Sequence, residues 1–251
     1  MAGHSKWSKV KRFKGAIDAK RGKLFSKLSK EITVAAKMGG GDANGNPRLR
    51  SAILAARAQS MPNENIERAI KRGTGESGDA QHIEELVYEG YAPGGVALIV
   101  EVATDNKNRA AADLRLIFSK NHGSLASSGS VSYMFHKKGQ ITVPRDAATE
   151  DRLLEIVLEA GAEELTSDDE HFTITTAPDQ LYAAAEALKT AGIAADSQKL
   201  TFVPDTTVPI SDEEIAAQVI RLCDALEDNE DVQNVHSNFD VSEEILSKLA
   251  A

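Results

Sequence analysis

The change from helix-forming to sheet-forming sequence falls at residues 85–102, which are ELVYEGYAPGGVALIVEV. Residues 85–91 and 96–102 are rich in apolar and β-branched side chains and predict two strands. Pro93, Gly94 and Gly95 lie between them and predict a turn. An antiparallel strand pair therefore begins the sheet-containing part of the chain, downstream of a region with a different pattern.

Upstream of this pair, the apolar residues follow a helical period. One stripe with spacings of four, four and three predicts a helix from about Lys20 to Met38. Gly39, Gly40 and Gly41 end this helix. The stripe consists of Leu24, Leu28, Ile32 and Ala35.

Two further helices are predicted before residue 76. Asn46 and Pro47 are the cap and first residue of a helix that extends to about Ser60. Residues 62–64 open a third helix, which stops at residues 73–75. Its residues Ile66 and Ile70 are predicted to face inward, and Arg68, Lys71 and Arg72 to face outward. The N-terminal region is thus expected to be a short helical bundle.

Downstream, residues 136–203 show the order β-α-β-β-α-β, which is that of ferredoxin-like folds. A helix capped by Ser211 and a final strand over residues 229–239 are predicted to complete the sheet begun at Glu85. We therefore predict an α+β fold in which a helical bundle precedes two α+β domains, one ferredoxin-like and inserted in the other. The predicted boundaries are 1–78 for the bundle, 79–135 plus 205–251 for the middle domain and 136–204 for the insertion.

Charge is distributed very unevenly along the chain. The net charge of −9 would by itself argue against a nucleic-acid partner. Residues 1–72, however, hold 17 Lys and Arg against five Asp and Glu (net +12), whereas the remainder holds 12 against 33 (net −21). Such asymmetry is typical of a polyanion-binding end joined to an acidic body. The alternative is that surface charge simply varies between domains.

The lysines of the first predicted helix share one arc, largely opposite the apolar stripe. Glu31 is the only acid from Lys20 to Met38. We expect this face to lie open and to contact phosphate. The full set of residues predicted to bind nucleic acid is Lys6, Lys9, Lys11, Arg12, Lys14, Lys20, Arg21, Lys23, Lys27, Lys30, Lys37, Arg48, Arg50, Arg57, Arg68, Lys71 and Arg72.

Several side chains allow two interpretations. Trp7 and Phe13 lie among the cations of residues 1–19, where aromatic rings stack on bases or pin an arm to its own domain. Asn63, Asn65 and Arg68 are suited to base edges, or equally to capping a helix and facing water. Lysine-rich faces contact phosphate and carry little sequence information, so duplex DNA and RNA both remain possible targets.

Signals for enzymatic chemistry are weak. The chain has no phosphate-binding GxxxxGK[ST] loop, its six histidines are scattered, and we predict no catalytic residues, no metal and no cofactor.

Cys223, the only cysteine, is predicted to be a core residue, which is consistent with a reducing cytoplasm. Acidic clusters at 224–231 and 168–170 are interpreted as solvated turns, as cation sites, or as a surface that repels nucleic acid. No apolar run approaches the ~20 residues of a membrane span, and the N-terminus lacks the apolar segment of a secretory signal.

Four long stretches resemble the YebC family of bacterial regulatory proteins, which is related to the mitochondrial translational activator of cytochrome oxidase subunit one. They are residues 1–32, residues 46–73, residues 88–109 and LASSGSVSYMF at 125–135. One mild departure is Ala110-Ala111, where members often have Thr. The resemblance implies three domains with the third inserted in the second, a cytoplasmic location and a role in gene expression. Members are commonly described as probable DNA-binding transcriptional regulators, and others as translation factors that relieve ribosome stalling at proline-rich sequences.

The function expected is therefore that of a non-enzymatic nucleic-acid-binding regulator of gene expression. The first hypothesis is a DNA-binding transcriptional regulator. The alternative is a factor that binds ribosomal RNA and the ribosome. An enzyme and a protein-interaction scaffold are further hypotheses, and neither a membrane nor a small-molecule substrate is expected as a partner.

Overall fold

In the computed structural model, residues 17–76, 78 and 83–250 are described, with the side chains of all of these except 17–20, 243 and 250. Three helices come first: α1 (Ile17–Gly39), α2 (Pro47–Ala58) and α3 (Asn63–Thr74). As predicted, the Asn46 side chain caps α2 by accepting a hydrogen bond from the Leu49 backbone N–H at 3.1 Å. The glycines after α1 end it as expected, since Gly40 has a φ of +85°.

The core of the bundle confirms most of the predicted apolar stripe. Leu28, Ile32 and Ala35 pack in one cluster with α2 and α3. Leu24 is 37% exposed, and Phe25 packs against the cluster instead. Both positions fit a period of 3.6 residues, so the spacing alone did not distinguish them. Gly73 permits the close approach of α3 to α1, because a Cβ there would lie 2.3 Å from the Thr33 carbonyl oxygen.

The first sheet contains β1 (Glu84–Ala92), β2 (Val96–Thr104), β3 (Ser124–Ala126) and β9 (Val232–Ser237) in the order β3-β1-β2-β9. The predicted turn at Pro93–Gly95 joins β1 to β2, which pair antiparallel over their full length. Helices α4 (Lys107–Lys120) and α7 (Glu213–Glu227) supply buried side chains to the core that also contains Val96, Leu98, Val100 and Val102 of β2. Cys223 is buried in this core, as predicted.

The predicted helix and strand at the C-terminal end of the chain are present, but their cap and bounds differ from the prediction. A helix and a strand do complete the first sheet, because β9 pairs antiparallel with β2. The cap of α7 is Asp212, whose side chain accepts hydrogen bonds from Glu214 and Ile215, and not Ser211. The predicted strand over 229–239 is shorter and is followed by β10 (Phe239–Val241), which pairs with β8 (Val208–Ile210). Helix α8 (Glu243–Ala250) was not predicted.

Residues 136–203 form a compact unit of their own, and the rest of the chain forms the other unit. Their elements are β4 (Phe135–Pro144), α5 (Glu150–Glu159), β5 (Ala162–Ser167), β6 (His171–Thr176), α6 (Leu181–Thr190) and β7 (Ser197–Pro204). The strand order β5-β6-β4-β7 is the 2-3-1-4 order of a ferredoxin-like sheet, and this confirms the predicted topology and the α+β class. The division of the other unit into a bundle and a middle domain stays a prediction.

Candidate nucleic-acid interface

Lys23, Lys27 and Lys30 of α1, which we call the lysine row, do not form an open face. Lys23 Nζ donates to the backbone oxygen of Asp228 at 3.1 Å, and Lys27 Nζ donates to that of Glu227 at 2.5 Å. Lys30 Nζ donates to the Glu230 carbonyl at 2.9 Å. The expectation that these three lysines form an open face is therefore wrong.

The reason lies at the C-terminal end of α7. The last carbonyls of a helix lack partners within the helix and carry the negative end of its dipole. Glu227 is the last residue of α7 and Asp228 is its C-cap. Lys23 and Lys27 thus serve as cationic caps at the C-terminal end of α7. We call this contact the lysine–α7 joint.

Asp231 completes the joint with a set of side-chain contacts. Its carboxylate lies 2.5 Å from Lys30 Nζ and 3.0 Å from Arg109 Nη2, and it accepts a hydrogen bond from the Thr104 hydroxyl at 3.0 Å. Its side chain is only 7% exposed. Burial raises the pKa of Asp231, but the bonds from Lys30 and Arg109 outweigh burial and hold the pKa below its usual range. The interpretation of 224–231 as a solvated turn is thus wrong for Asp231.

Beside this network lies a cavity of about 510 Å³, lined by Lys30, Ile83, Asp105, Arg109, Asp113, Asn229, Glu230 and Asp231. Among its lining residues, Asp231 pairs with Lys30 and Arg109, and Arg109 also pairs with Asp105 at 2.8 Å. Among the described residues there is no group of His, Cys, Asp or Glu that could hold a metal ion.

Arg48 and Lys37 are also engaged by neighbouring groups. The Arg48 guanidinium contacts Glu31 at 2.8 Å and Glu85 at 2.6 Å. Burial lowers the pKa of Arg48, but the hydrogen bonds that Arg48 donates to Glu85 and Glu31 outweigh burial and raise the pKa above its usual value. Lys37 Nζ donates to the Ile83 carbonyl at 3.3 Å. Arg48 thus links the bundle to β1, and Lys37 links it to Ile83, the residue directly before β1.

Arg68 and Arg72 line one groove, and the Arg21 guanidinium lies over the Phe25 ring that also lines it. Lys71 is the neighbour of Arg72 in α3. We call these four cations the basic edge: Arg21, Arg68, Lys71 and Arg72. Within residues 17–76, 78 and 83–250, no carboxylate pairs with Arg21, Lys71 or Arg72. Among the residues that the structure describes, Arg68 bonds only Glu64, at 2.9 Å, in an exposed i,i+4 pair of little energetic value. The basic edge is thus the described surface with the most uncompensated positive charge in the bundle.

The groove itself lies between α1 and α3 and measures about 220 Å³. Phe25, Ser26 and Ser29 come from α1, and Asn65, Arg68, Ala69 and Arg72 come from α3, with Met61 at one end. The positions 65, 68, 69 and 72 form one stripe of a helix. Sequence reasoning singled out Asn65 and both arginines but missed Phe25, because Leu24 occupied its place in the predicted core.

The other predicted site residues are scattered or lie outside the described part. Arg57 is exposed on α2, and Arg50 is partly buried and has an interaction partner. Asn63 is exposed, and the N-cap of α3 is Pro62 without a side-chain hydrogen bond, so the capping role is not observed. Trp7, Phe13 and the side chain of Lys20 lie outside the described residues. So do the five cations of the N-terminal arm, Lys6, Lys9, Lys11, Arg12 and Lys14.

None of the helices in the described part of the chain has the length and apolar character needed to cross a membrane.

Comparison with known proteins identifies the family. Residues 5–76 match the model of the TACO1/YebC protein N-terminal domain, and residues 83–239 match that of the TACO1/YebC second and third domain. Proteins named probable transcriptional regulatory protein from Rubrobacter xylanophilus and Desulfotalea psychrophila are 54% and 53% identical over 250 residues, with all of each chain covered. The crystal structure of a conserved hypothetical protein from Aquifex aeolicus has a TM-score of 0.83 and 49% identity, and covers 91% of this chain and 94% of that one. The chain therefore belongs to the TACO1/YebC family.

Proposed function

We propose that this protein is a non-enzymatic regulator of gene expression that binds nucleic acid through the basic edge of its N-terminal bundle. The observation that carries the proposal is the contrast within the bundle. The ammonium groups of the lysine row donate into the lysine–α7 joint, where Lys30 also pairs with Asp231, whereas Arg21, Lys71 and Arg72 have no described carboxylate partner. Phosphate groups would supply the missing negative charge. The names of the relatives, which refer to transcriptional regulation, support a role in gene expression.

Two targets are consistent with this surface. Duplex DNA is one target that a role in transcriptional regulation, the role printed in the relatives' names, would require. RNA, in the ribosome or elsewhere, is favoured by the aromatic ring of Phe25 among the arginines, because a ring stacks on bases only where they are unpaired. We propose the cytoplasm as the location, from the single buried Cys223 and the family resemblance. The acidic remainder of the chain is proposed to disfavour binding elsewhere and so to orient the polyanion.

A salt titration tests the contact surface. For a labelled DNA duplex, log K should fall linearly with log salt, by about 0.9 for each phosphate contacted. Changing Arg68, Lys71 and Arg72 together to Ala removes up to three contacts and should reduce the slope by about 2.7. The ratio of wild-type to variant affinity should then shrink by about 40-fold between 50 and 200 mM salt. Fluorescence anisotropy measures both quantities.

Two control variants make the result specific. Changing Lys107, Arg115 and Lys120 of α4 to Ala removes three exposed cations from another surface and should leave the slope as in the wild type. Changing Lys23 and Lys27 to Ala should also leave the slope unchanged, because backbone carbonyls already occupy these lysines. Equal slopes for the wild type and the Arg68/Lys71/Arg72 variant would exclude the basic edge as the contact surface.

A further inference from the structure

The groove between α1 and α3 persists because small side chains face each other across it. Ser26 and Ser29 of α1 lie opposite Ala69 of α3, where larger residues would close the gap between the helices. Ala69 is fully buried and forms part of the floor. A volume of about 220 Å³ is below the ~300 Å³ at which pockets for drug-sized ligands begin. The groove is therefore suited to one flat ring with its attached group, and not to a whole cofactor.

The lining combines an aromatic surface with positive charge. Phe25 is partly buried against the bundle core, and the Arg21 guanidinium lies over its ring, 5.9 Å from the centroid. Arg68 and Arg72 flank the groove from successive turns of α3. Guanidinium groups bind phosphate through two hydrogen bonds in a fixed geometry and stack on aromatic rings. The hydroxyls of Ser26 and Ser29 and the amide of Asn65 add polar groups for a sugar or a base edge.

We propose that this groove binds one unpaired nucleotide of a single-stranded polynucleotide, with its base against Phe25 and its phosphate held by Arg68 and Arg72. The inference rests on the proposed function and specifies its substrate class. A duplex keeps its bases stacked and paired, so it would use the arginines but not the ring. A bare anion would use the arginines and the hydroxyls but not the ring. Only an unpaired nucleotide employs every group that lines the groove.

The test uses the full chain and fluorescein-labelled 12-nucleotide probes, namely oligouridine, oligothymidine and the same ribose backbone without bases. Stacking on one aromatic side chain accounts for about tenfold in affinity. Phe25→Leu should therefore weaken oligouridine binding about tenfold and leave the salt slope unchanged, whereas Phe25→Tyr should bind as the wild type does. Arg72→Ala should weaken binding and reduce the slope by about 0.7, the value for single strands.

The base-free probe separates stacking from indirect effects. Wild-type affinity for it should be about tenfold lower than for oligouridine, and Phe25→Leu should cause no further loss. Because Phe25 also packs on the bundle core, Ser26→Leu provides a second variant that fills the groove and leaves the ring in place. It should weaken oligouridine binding as well. Thermal unfolding of each variant checks that the bundle remains folded.

Tighter binding of oligouridine than of oligothymidine assigns the groove to RNA, and equal binding assigns it to either polymer. The inference is overturned if Phe25→Leu weakens binding of the base-free probe as much as binding of oligouridine. It is also overturned if Phe25→Leu or Ser26→Leu binds oligouridine as tightly as the wild type does. If the wild type binds only duplex, with sensitivity to Arg68→Ala, the groove inference fails and the proposed function stands. If the wild type binds no polynucleotide, both fail.

Discussion

Replacing Glu89 by Ala is expected to lower the free energy of unfolding by about 3–4 kcal/mol. Glu89 is only 5% exposed, and its carboxylate accepts backbone hydrogen bonds from Gly129 at 2.7 Å, Val131 at 2.6 Å and Ser132 at 2.9 Å. The substitution would leave three N–H groups without their acceptor, and that of Val131 is fully buried whereas those of Gly129 and Ser132 are partly buried. Burial of such unpaired donors is the main cost.

Urea unfolding followed by circular dichroism measures this effect. Glu89→Gln keeps the shape but offers one acceptor oxygen instead of two, so an intermediate loss is expected. Glu155→Ala, on the exposed side of α5, is the matched control and should change the free energy by less than about 0.5 kcal/mol. A Glu89→Ala protein as stable as this control would show that the loop over 127–132 does not depend on the carboxylate.

Replacing Asp231 by Ala is expected to lower the free energy of unfolding by about 2–3 kcal/mol. The loss is smaller than for a fully buried ion pair, because Arg109 remains about half exposed and can be hydrated. Lys30 would keep its bond to the Glu230 carbonyl but lose its only carboxylate partner among the described residues.

The control for this variant is Asp228→Ala. It removes a neighbouring exposed carboxylate and leaves the backbone oxygen that accepts from Lys23. Urea unfolding of both variants should show a loss only for Asp231→Ala. An equal change in the two proteins would mean that Asp231 contributes through general charge and not through its contacts with Lys30, Arg109 and Thr104.

Both carboxylates also predict how stability depends on pH. Burial raises the pKa of Glu89, but the backbone hydrogen bonds from Val131, Gly129 and Ser132 outweigh burial and lower the pKa, as the cations do for Asp231. A carboxylate with a lowered pKa in the folded state contributes stability at pH values above its unfolded pKa of about 4. This contribution is lost as pH falls through the folded value, and the two Ala variants should show less of this acid sensitivity.

The sequence was sufficient to predict elements whose signals are local. The Asn46–Pro47 start of α2, the Pro93–Gly95 turn and the β-α-β-β-α-β order each depend on residues close together in the chain, and each is present. The error at Leu24 and Phe25 has the same origin, because neighbouring residues on a helix differ by only 100° in direction. Tertiary packing decided which one faces the core.

The charged residues show the limit of this reasoning. The period of Lys23, Lys27 and Lys30 predicted one shared face, but periodicity does not specify what that face contacts. The acidic segment at 224–231 was recognised separately, and about 200 residues separate the two in the chain. Their opposite signs are a signal that they could pair. The acceptors at Glu227 and Asp228 are backbone carbonyls, however, and no side-chain pattern reveals these.

The consequence for function is that the predicted phosphate-binding surface divides into two parts. The lysine row contacts the C-terminal end of α7, and the basic edge is the part that we propose to bind an external polyanion. The prediction from charge composition had assigned the lysine row and the basic edge to a single phosphate-binding surface. The N-terminal cations, from Lys6 to Lys14, remain predicted contributors to nucleic-acid binding.

Ultraviolet crosslinking of the full chain to nucleic acid in cells, followed by mass spectrometry of the crosslinked peptides, tests nucleic-acid binding by the bundle most directly. We expect crosslinks within residues 21–29 and 61–72 and within the N-terminal basic stretch, residues 6–14. The nucleotide attached to each peptide will identify the polymer as DNA or RNA. Crosslinks confined to residues 84–250, or no recovery of nucleic acid with the protein, would contradict the proposal.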